Sequence, residues 1–129
     1  MSYYFSKTLS NTTFDEAIDH VTAALKAEGF GVLTEIDIKA TLKKKLDVDV
    51  NKYRILGACN PPMAYQALQA EDKIGLMLPC NVIVQERDTG DIEVSAVDPI
   101  ASMQAVKNES LGSIATEVAD KLRGVIEGL

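Results

Sequence analysis

The stretch that decides the fold is "CNVIVQERDTGDIEVSAV", residues 80–97. Residues 80–87 and 92–97 alternate apolar and polar side chains, which is typical of β-strands with one covered face. The intervening DTGD sequence, residues 88–91, favours a tight turn in which Gly90 adopts a positive φ. These features predict a β-hairpin and therefore a sheet whose later strands run antiparallel.

Immediately upstream of the hairpin, the pattern predicts a strand, a helix and a further extended segment. Residues 53–59 alternate, with Cys59 on the same side as Tyr53. Asn60 is a good N-cap and two prolines follow it, so a helix is predicted from 61 to about 70. Residues 74–78 are apolar throughout and precede Pro79, which predicts either one bent strand through to 87 or two strands that meet at a corner.

The first third of the chain predicts a strand, a helix and a second strand. Residues 3–9 begin with good strand formers. Thr13 and Glu16 have the spacing of a capping box at the start of a helix that Gly29 ends. Residues 30–37 alternate again and predict a strand.

Within that second strand, alternation places Val32 and Ile36 on one face and Glu35 and Asp37 on the other. Asp37 is also a suitable cap for a short helix over residues 38–46. Lysines would face the solvent on this helix.

The final helix has the clearest pattern of all, an apolar stripe from Leu111 to Ile126 that continues over four turns. Together the elements predict an α+β fold: a largely antiparallel sheet of about five strands in the order β-α-β-β-β-β-α, with short helical insertions. Two long helices are expected to cover one face of the sheet. Residues 1–129 are predicted to form a single domain.

The charge balance argues against nucleic acid and membrane partners. The chain of 129 residues has 13 basic and 19 acidic side chains, giving a net charge of -6, which repels phosphate backbones and anionic lipids. A secretory signal is not recognisable, and no apolar run approaches the length of about 20 residues that spans a bilayer. The expected location is the cytoplasm.

The familiar catalytic and cofactor motifs are missing from the sequence. It contains no G-x-G-x-x-G, no G-x-x-x-x-G-K and no G-x-S-x-G pattern, which are the usual signals of dinucleotide binding, P-loop hydrolysis and the hydrolase nucleophile elbow. The sequence therefore names no cofactor and no reaction, and a non-enzymatic role is favoured.

The chain has two cysteines, and each is followed by asparagine. If the strand that ends at Cys59 and the strand that starts near Cys80 are neighbours, then Cys59, Asn60, Cys80 and Asn81 would line the same end of the sheet. These four residues are the candidate ligand-binding site. The alternative is structural, because cysteine is often a small buried residue, Asn60 is explained as a cap and Asn81 as a corner residue.

A metal ion at this place would take Cys59 and Cys80 as sulfur ligands. The two are far apart in sequence and lack the paired close spacing of a zinc site, so zinc would also need carboxylates. Glu35, Asp37 and Asp98 are the second-tier candidates for that role. Each also has an ordinary structural use, as an outward-facing strand residue or as a helix cap.

The chain resembles the family called domain of unknown function 302 over nearly its whole length. The resemblance implies a fold like that of the TATA-binding protein, in agreement with the elements predicted above, and a homodimer. It names no reaction, and the fold name does not import DNA binding. Because both Cys-Asn corners belong to the shared pattern, it favours a common site at them. The segments that carry it are 35–37 (EID), 53–61 (YRILGACNP), 67–68 (AL) and 75–82 (GLMLPCNV), and the most specific are "LGACNPPMA" and "GLMLPCNVIV".

Three hypotheses for the function follow. The first is a non-enzymatic module that binds a small ligand or a soft metal ion at the two corners. The second is a thiol redox enzyme or sulfur carrier in which Cys59 attacks and Cys80 resolves. The third is a purely structural or protein-interaction domain in which the corners only turn the chain.

Overall fold

The computed structural model describes residues 2–129 and has the predicted α+β architecture. Its five strands form one antiparallel sheet in the order β1-β5-β4-β3-β2. The predicted hairpin is present, since β4 and β5 pair antiparallel and Gly90 has a φ of +90°. The strands are β1 (Tyr4–Leu9), β2 (Gly31–Asp37), β3 (Tyr53–Cys59), β4 (Cys80–Glu86) and β5 (Ile92–Val97).

Five helices and two 3₁₀ turns connect and cover the strands. The two long helices, α1 and α5, pack on the same face of the sheet, as predicted. Among residues 2–129, no helix is long and apolar enough to cross a membrane. The helices are α1 (Phe14–Ala27), α2 (Ile38–Leu46), α3 (Pro61–Ala70), α4 (Pro99–Ser102) and α5 (Gly112–Glu127), and the 3₁₀ turns are Ile74–Met77 and Glu109–Leu111.

The main core lies between the sheet and the two long helices. It is built from aliphatic side chains that are almost completely removed from water, and their burial is the principal stabilising term of the fold. The centre of this core consists of Val21 and Leu25 from α1, Leu56, Val82, Val84 and Val94 from the sheet, and Leu122 from α5.

The predicted start of α1 is confirmed in atomic detail. The backbone N–H of Glu16 donates to Oγ1 of Thr13 at 3.1 Å, and the backbone N–H of Thr13 donates to Oε1 of Glu16 at 3.1 Å. This reciprocal capping box satisfies two amides that the first helical turn leaves without partners.

The prediction of an extended segment at residues 74–78 is wrong. Ile74–Met77 is a 3₁₀ turn. Ile74 is fully buried, whereas Leu76 is 83% exposed, so the apolar run does not enter the sheet. Ile74 packs instead against Ala67 and Leu111 in a second, smaller core. A short continuous apolar run does not distinguish a strand from a helical turn, which is why the sequence pattern was ambiguous here.

The prediction that Val32 and Ile36 share a face of β2 is also wrong, because this strand contains a bulge. Val32 pairs with Ala58 and Thr34 pairs with Gly57, so the register shifts between them. The extra residue reverses the alternation. Val32 consequently packs against the core, whereas Ile36 lies on the opposite face and is 47% exposed.

The second face of the sheet lies opposite the face that packs against α1 and α5. Ile36, Ile55 and Ile83 lie opposite one another on three neighbouring strands of this face. Ser6 and Ser95 continue the same row, with their hydroxyl oxygens 3.0 Å apart. This face, which we call the open face, is a mixed apolar and polar surface.

Candidate functional site

The first corner is the junction between β3 and α3. Cys59 ends the strand, and Asn60 is the N-cap residue of the helix. Oδ1 of Asn60 accepts a hydrogen bond from the backbone N–H of Met63 at 3.3 Å. Pro61 and Pro62 occupy the first helical positions, where the missing N–H groups cost nothing. The corner therefore turns the chain and directs the side chain of Met63 inward.

The second corner lies where Pro79 leads into β4. Cys80 is paired with Ala58 across the ladder between β3 and β4, so it lies beside the end of β3. Gly57 makes room for this approach, because a Cβ atom on Gly57 would lie only 2.7 Å from Cγ of Pro79. The peptide bond between Leu78 and Pro79 is cis. The two corners are thus neighbours at one end of the sheet.

A small cavity of about 40 Å³ lies where the two corners meet the helical layer. Cys59 and Cys80 both line it. Two further sulfur-bearing residues line it as well, Met63 from α3 and Met103, which is the C-cap residue of α4. We call this space the sulfur cavity.

The walls of the sulfur cavity are otherwise apolar. α5 contributes Ile114 and Val118, and among the described lining residues none carries a charge. Among the described residues that line the cavity, Asn60 alone has an amide side chain. An ion or molecule in this space would therefore meet sulfur atoms and hydrocarbon, without a carboxylate ligand.

Cys80 is held in a protonated state by its surroundings. It is only 7% exposed. Burial, together with the nearby Cys59, raises the pKa of the Cys80 thiol from 9.0 to about 11, because a thiolate is poorly solvated in an apolar site and a second thiolate would repel it. Both cysteines are free thiols and form no disulfide.

Asn81 is separated from the other three predicted site residues. It follows Cys80 in β4, and its exposed side chain lies on the open face with Ile83 and Gln85. It does not line the sulfur cavity. Alternation along the strand is the reason, since Cys80 faces the helices and the next side chain must face away from them.

Glu35 and Asp37 bind the same arginine. Arg54 lies 3.5 Å from Oε1 of Glu35 and 3.4 Å from Oδ2 of Asp37, and its guanidinium group stacks over the ring of Phe14 at 5.6 Å. Oδ1 of Asp37 also accepts from the backbone N–H of Ala40 at 2.9 Å and so caps α2. These acids lie outside the sulfur cavity.

Asp98, the third candidate acid, is likewise in a capping position. Its Oδ1 accepts from the backbone N–H of Ile100 at 3.0 Å at the start of α4.

Within residues 2–129, no group of three or more His, Cys, Asp or Glu side chains is placed to hold a metal ion. A metal ion at the corners would therefore have to use ligands of another type.

The two methionines are the residues that sequence reasoning missed. Met63 had a local signal, because it is the third residue of a helix that starts beside Cys59. Met103 had none, because it lies far along the chain and reaches the cavity only through the packing of α4 against the rest of the domain.

A second depression lies on the open face. It has a volume of about 470 Å³, and Tyr4, Tyr53 and Asn81 are among the residues that line it. Its polar side chains are partly engaged with each other, since Nε2 of Gln85 donates to Oε1 of Glu93 at 3.1 Å. It lacks the convergent polar groups that typically orient a small ligand.

The fold and the corners define the chain as a small α+β domain with a single antiparallel sheet. A family model described as "Domain of unknown function DUF302" matches residues 5–129, and the chain belongs to this family. The predicted family resemblance is therefore confirmed.

A solved structure supports the same assignment. It is the crystal structure of an uncharacterized conserved protein DUF302 from Bacillus stearothermophilus. The sequence of that protein is 26% identical to this chain, the match covers 98% of each chain, and the two structures superpose with a TM-score of 0.90. The comparison with curated proteins finds no match. The family and the fold are thus established, and the function has to be argued from the site.

Proposed function

We propose that this domain binds a soft metal ion at the sulfur cavity and catalyses no reaction there. The observation that carries the proposal is that Cys59 and Cys80, 21 positions apart in the sequence, line one cavity. Thiolates are preferred ligands of copper(I) and zinc and poor ligands of magnesium and calcium.

The size of the cavity favours an ion over an organic ligand. A volume of about 40 Å³ is comparable to one or two water molecules. Typical pockets for small molecules measure about 300–1,000 Å³. Of the two ligand classes expected at the corners, the metal ion therefore fits better.

Binding proceeds by exchange of protons for metal. Each cysteine that coordinates the ion loses its S–H proton to the solvent and forms a metal–sulfur bond, so no oxidant or reductant is consumed. The corner helix caps and the paired strands hold the two sulfur-bearing residues in position before the ion arrives.

The test is a metal titration with matched variants. Freshly purified protein is analysed by native mass spectrometry and then titrated separately with zinc(II) and with copper(I) against a chromophoric chelator. We expect one ion per chain in the wild type and loss of binding in Cys59→Ser and Cys80→Ser. Asn81→Ala, which alters the open face, is the control and should bind normally. Unchanged binding in both cysteine variants would refute the proposal.

The thiol redox hypothesis is the alternative. The burial of Cys80 and its raised pKa of about 11 count against it, because thiol exchange needs a thiolate before reaction, whereas a metal ion can itself displace the thiol proton. The redox hypothesis predicts that mild oxidation joins Cys59 and Cys80 in a disulfide and that a reductant breaks this bond. The structural hypothesis requires instead that neither metal uptake nor oxidation depends on these residues.

We further propose a homodimer located in the cytoplasm. The dimer rests on the family resemblance, and the location rests on the sequence and on the free state of both thiols, which a reducing compartment maintains. Sedimentation analysis should give a mass of about twice 14.0 kDa, and the monomer mass would contradict the dimer.

A further inference from the structure

The sulfur cavity contains a second pair of soft ligands, and we infer that Met63 and Met103 bind the same ion through their thioether sulfurs and make the site selective for copper(I) over zinc(II). This inference rests on the proposed metal-binding function.

The four sulfur-bearing side chains come from four different parts of the fold. Cys59 ends β3, Cys80 begins β4, Met63 lies in the first turn of α3, and Met103 follows α4. All four line one cavity. Ligands from four separate segments can approach one ion from different directions, as a closed coordination site requires.

Met63 and Met103 differ in their surroundings from Met77, the other internal methionine. Met63 is 7% exposed and lies in the core, and Met103 is partly buried, whereas Met77 is 38% exposed and lies outside the cavity. Methionine is a flexible filler of irregular core spaces. Here the filling is incomplete, since about 40 Å³ remains between these side chains.

The chemistry of the donors distinguishes the two candidate metals. Zinc in proteins is bound by cysteine, histidine and carboxylate ligands, usually four of them. Two thiols are present, and among the described lining residues there is no histidine, aspartate or glutamate to complete such a set. The thioethers of Met63 and Met103 complete the ligand set instead. A set of thiolate and thioether donors is soft and selects copper(I).

The proposed site also excludes harder cations. Magnesium, calcium and manganese prefer carboxylate, carbonyl and water oxygens. The three candidate acids are engaged elsewhere, with Glu35 and Asp37 on Arg54 and Asp98 at a helix cap. The apolar wall thus leaves sulfur as the main donor.

The test compares Met63→Leu/Met103→Leu with Met77→Leu, each titrated anaerobically with copper(I) and with zinc(II) against competing chelators. Leucine conserves volume and hydrophobicity, so the double variant should fold, which far-UV circular dichroism checks. We expect its copper(I) affinity to fall at least about tenfold while its zinc(II) affinity is unchanged. Met77→Leu should match the wild type for both metals.

The outcomes separate this inference from the function on which it rests. Wild-type copper(I) affinity in the double methionine variant, with binding lost in Cys59→Ser, would overturn the methionine ligands and leave the thiol site standing. Wild-type copper(I) affinity in Cys59→Ser and Cys80→Ser would overturn both.

A second measurement avoids substitution altogether. Wild-type protein labelled with selenomethionine and loaded with copper(I) is measured by X-ray absorption at the selenium edge. A copper neighbour at selenium is the expected result, and a spectrum without one would overturn the inference even if the double variant failed to fold.

Discussion

Cys80 pairs with Ala58 across the β3–β4 ladder, and Ala58 immediately precedes Cys59 in β3. The two cysteines also share the wall of one cavity. Cys59 is also the second cause, after burial, of the raised pKa of Cys80.

The raised pKa predicts that the apo-protein loses stability in alkali. The thiol of Cys80 titrates near its ordinary value of 9.0 in the unfolded chain and at about 11 in the folded one. The stabilisation is therefore complete below pH 9 and is lost as the pH rises through the folded pKa. Urea unfolding between pH 8 and pH 11 should show a decrease on the order of 2 kcal/mol that Cys80→Ala lacks.

The comparison with Cys80→Ala is essential, because it isolates the contribution of this one thiol. Groups common to both proteins cancel in the difference between them. Parallel curves for the wild type and the variant would contradict a buried neutral thiol at position 80.

The two thiols should differ in their rate of alkylation. Cys59 is partly exposed, whereas Cys80 is buried and protonated at neutral pH, and alkylation requires an accessible thiolate. Iodoacetamide at pH 8, followed over time by peptide mass spectrometry, should label Cys59 first. Labelling of Cys80 at an equal or faster rate would show that the corner opens readily.

The two asparagines of the corners should have unequal effects on stability. Asn60→Ala removes the side-chain acceptor at the start of α3 and should cost about 1 kcal/mol of unfolding free energy. Asn81→Ala is the matched control, because this exposed side chain makes no hydrogen bond among the described residues, and it should cost less than about 0.5 kcal/mol. Chemical unfolding measures both. Equal losses would mean that Asn81 has a structural role that its surroundings do not indicate.

A side chain at position 57 is expected to lower the free energy of unfolding. In Gly57→Ala the new methyl group would meet the ring of Pro79 and the hydroxyl of Thr34, so one of the neighbours must move, at a cost of about 1–3 kcal/mol. Gly31→Ala, also in a strand, is the control, because a methyl group there has nothing within 4 Å. Urea denaturation of the two variants should differ clearly, and similar midpoints would argue against close packing of the second corner.

Most individual elements were predictable from local sequence. The capping box of Thr13 and Glu16, the cap formed by Asn60 and the turn at Gly90 are all present. Each depends on residues within a few positions of each other. Short-range hydrogen bonds and backbone preferences therefore determined them without the rest of the chain.

The errors occurred where local signals compete with tertiary contacts. The 3₁₀ turn that contains Ile74 reads as a strand because its apolar run is continuous, and only packing against Leu111 explains the burial of Ile74. The alternation of apolar and polar residues that includes Val32 and Ile36 does not reveal the bulge in β2. It is defined by pairing with β3, which is a long-range property.

The candidate site shows the same division. The sequence by itself determined two Cys-Asn corners at strand ends, because alternation, proline and N-cap preference act within each segment. Only the tertiary structure decided that Cys59 and Cys80 line the same cavity, that Asn81 faces away from it, and that Met103 also lines it. Those relationships depend on the register of β3 against β4 and on the packing of the helices over the sheet, and no local preference specifies either.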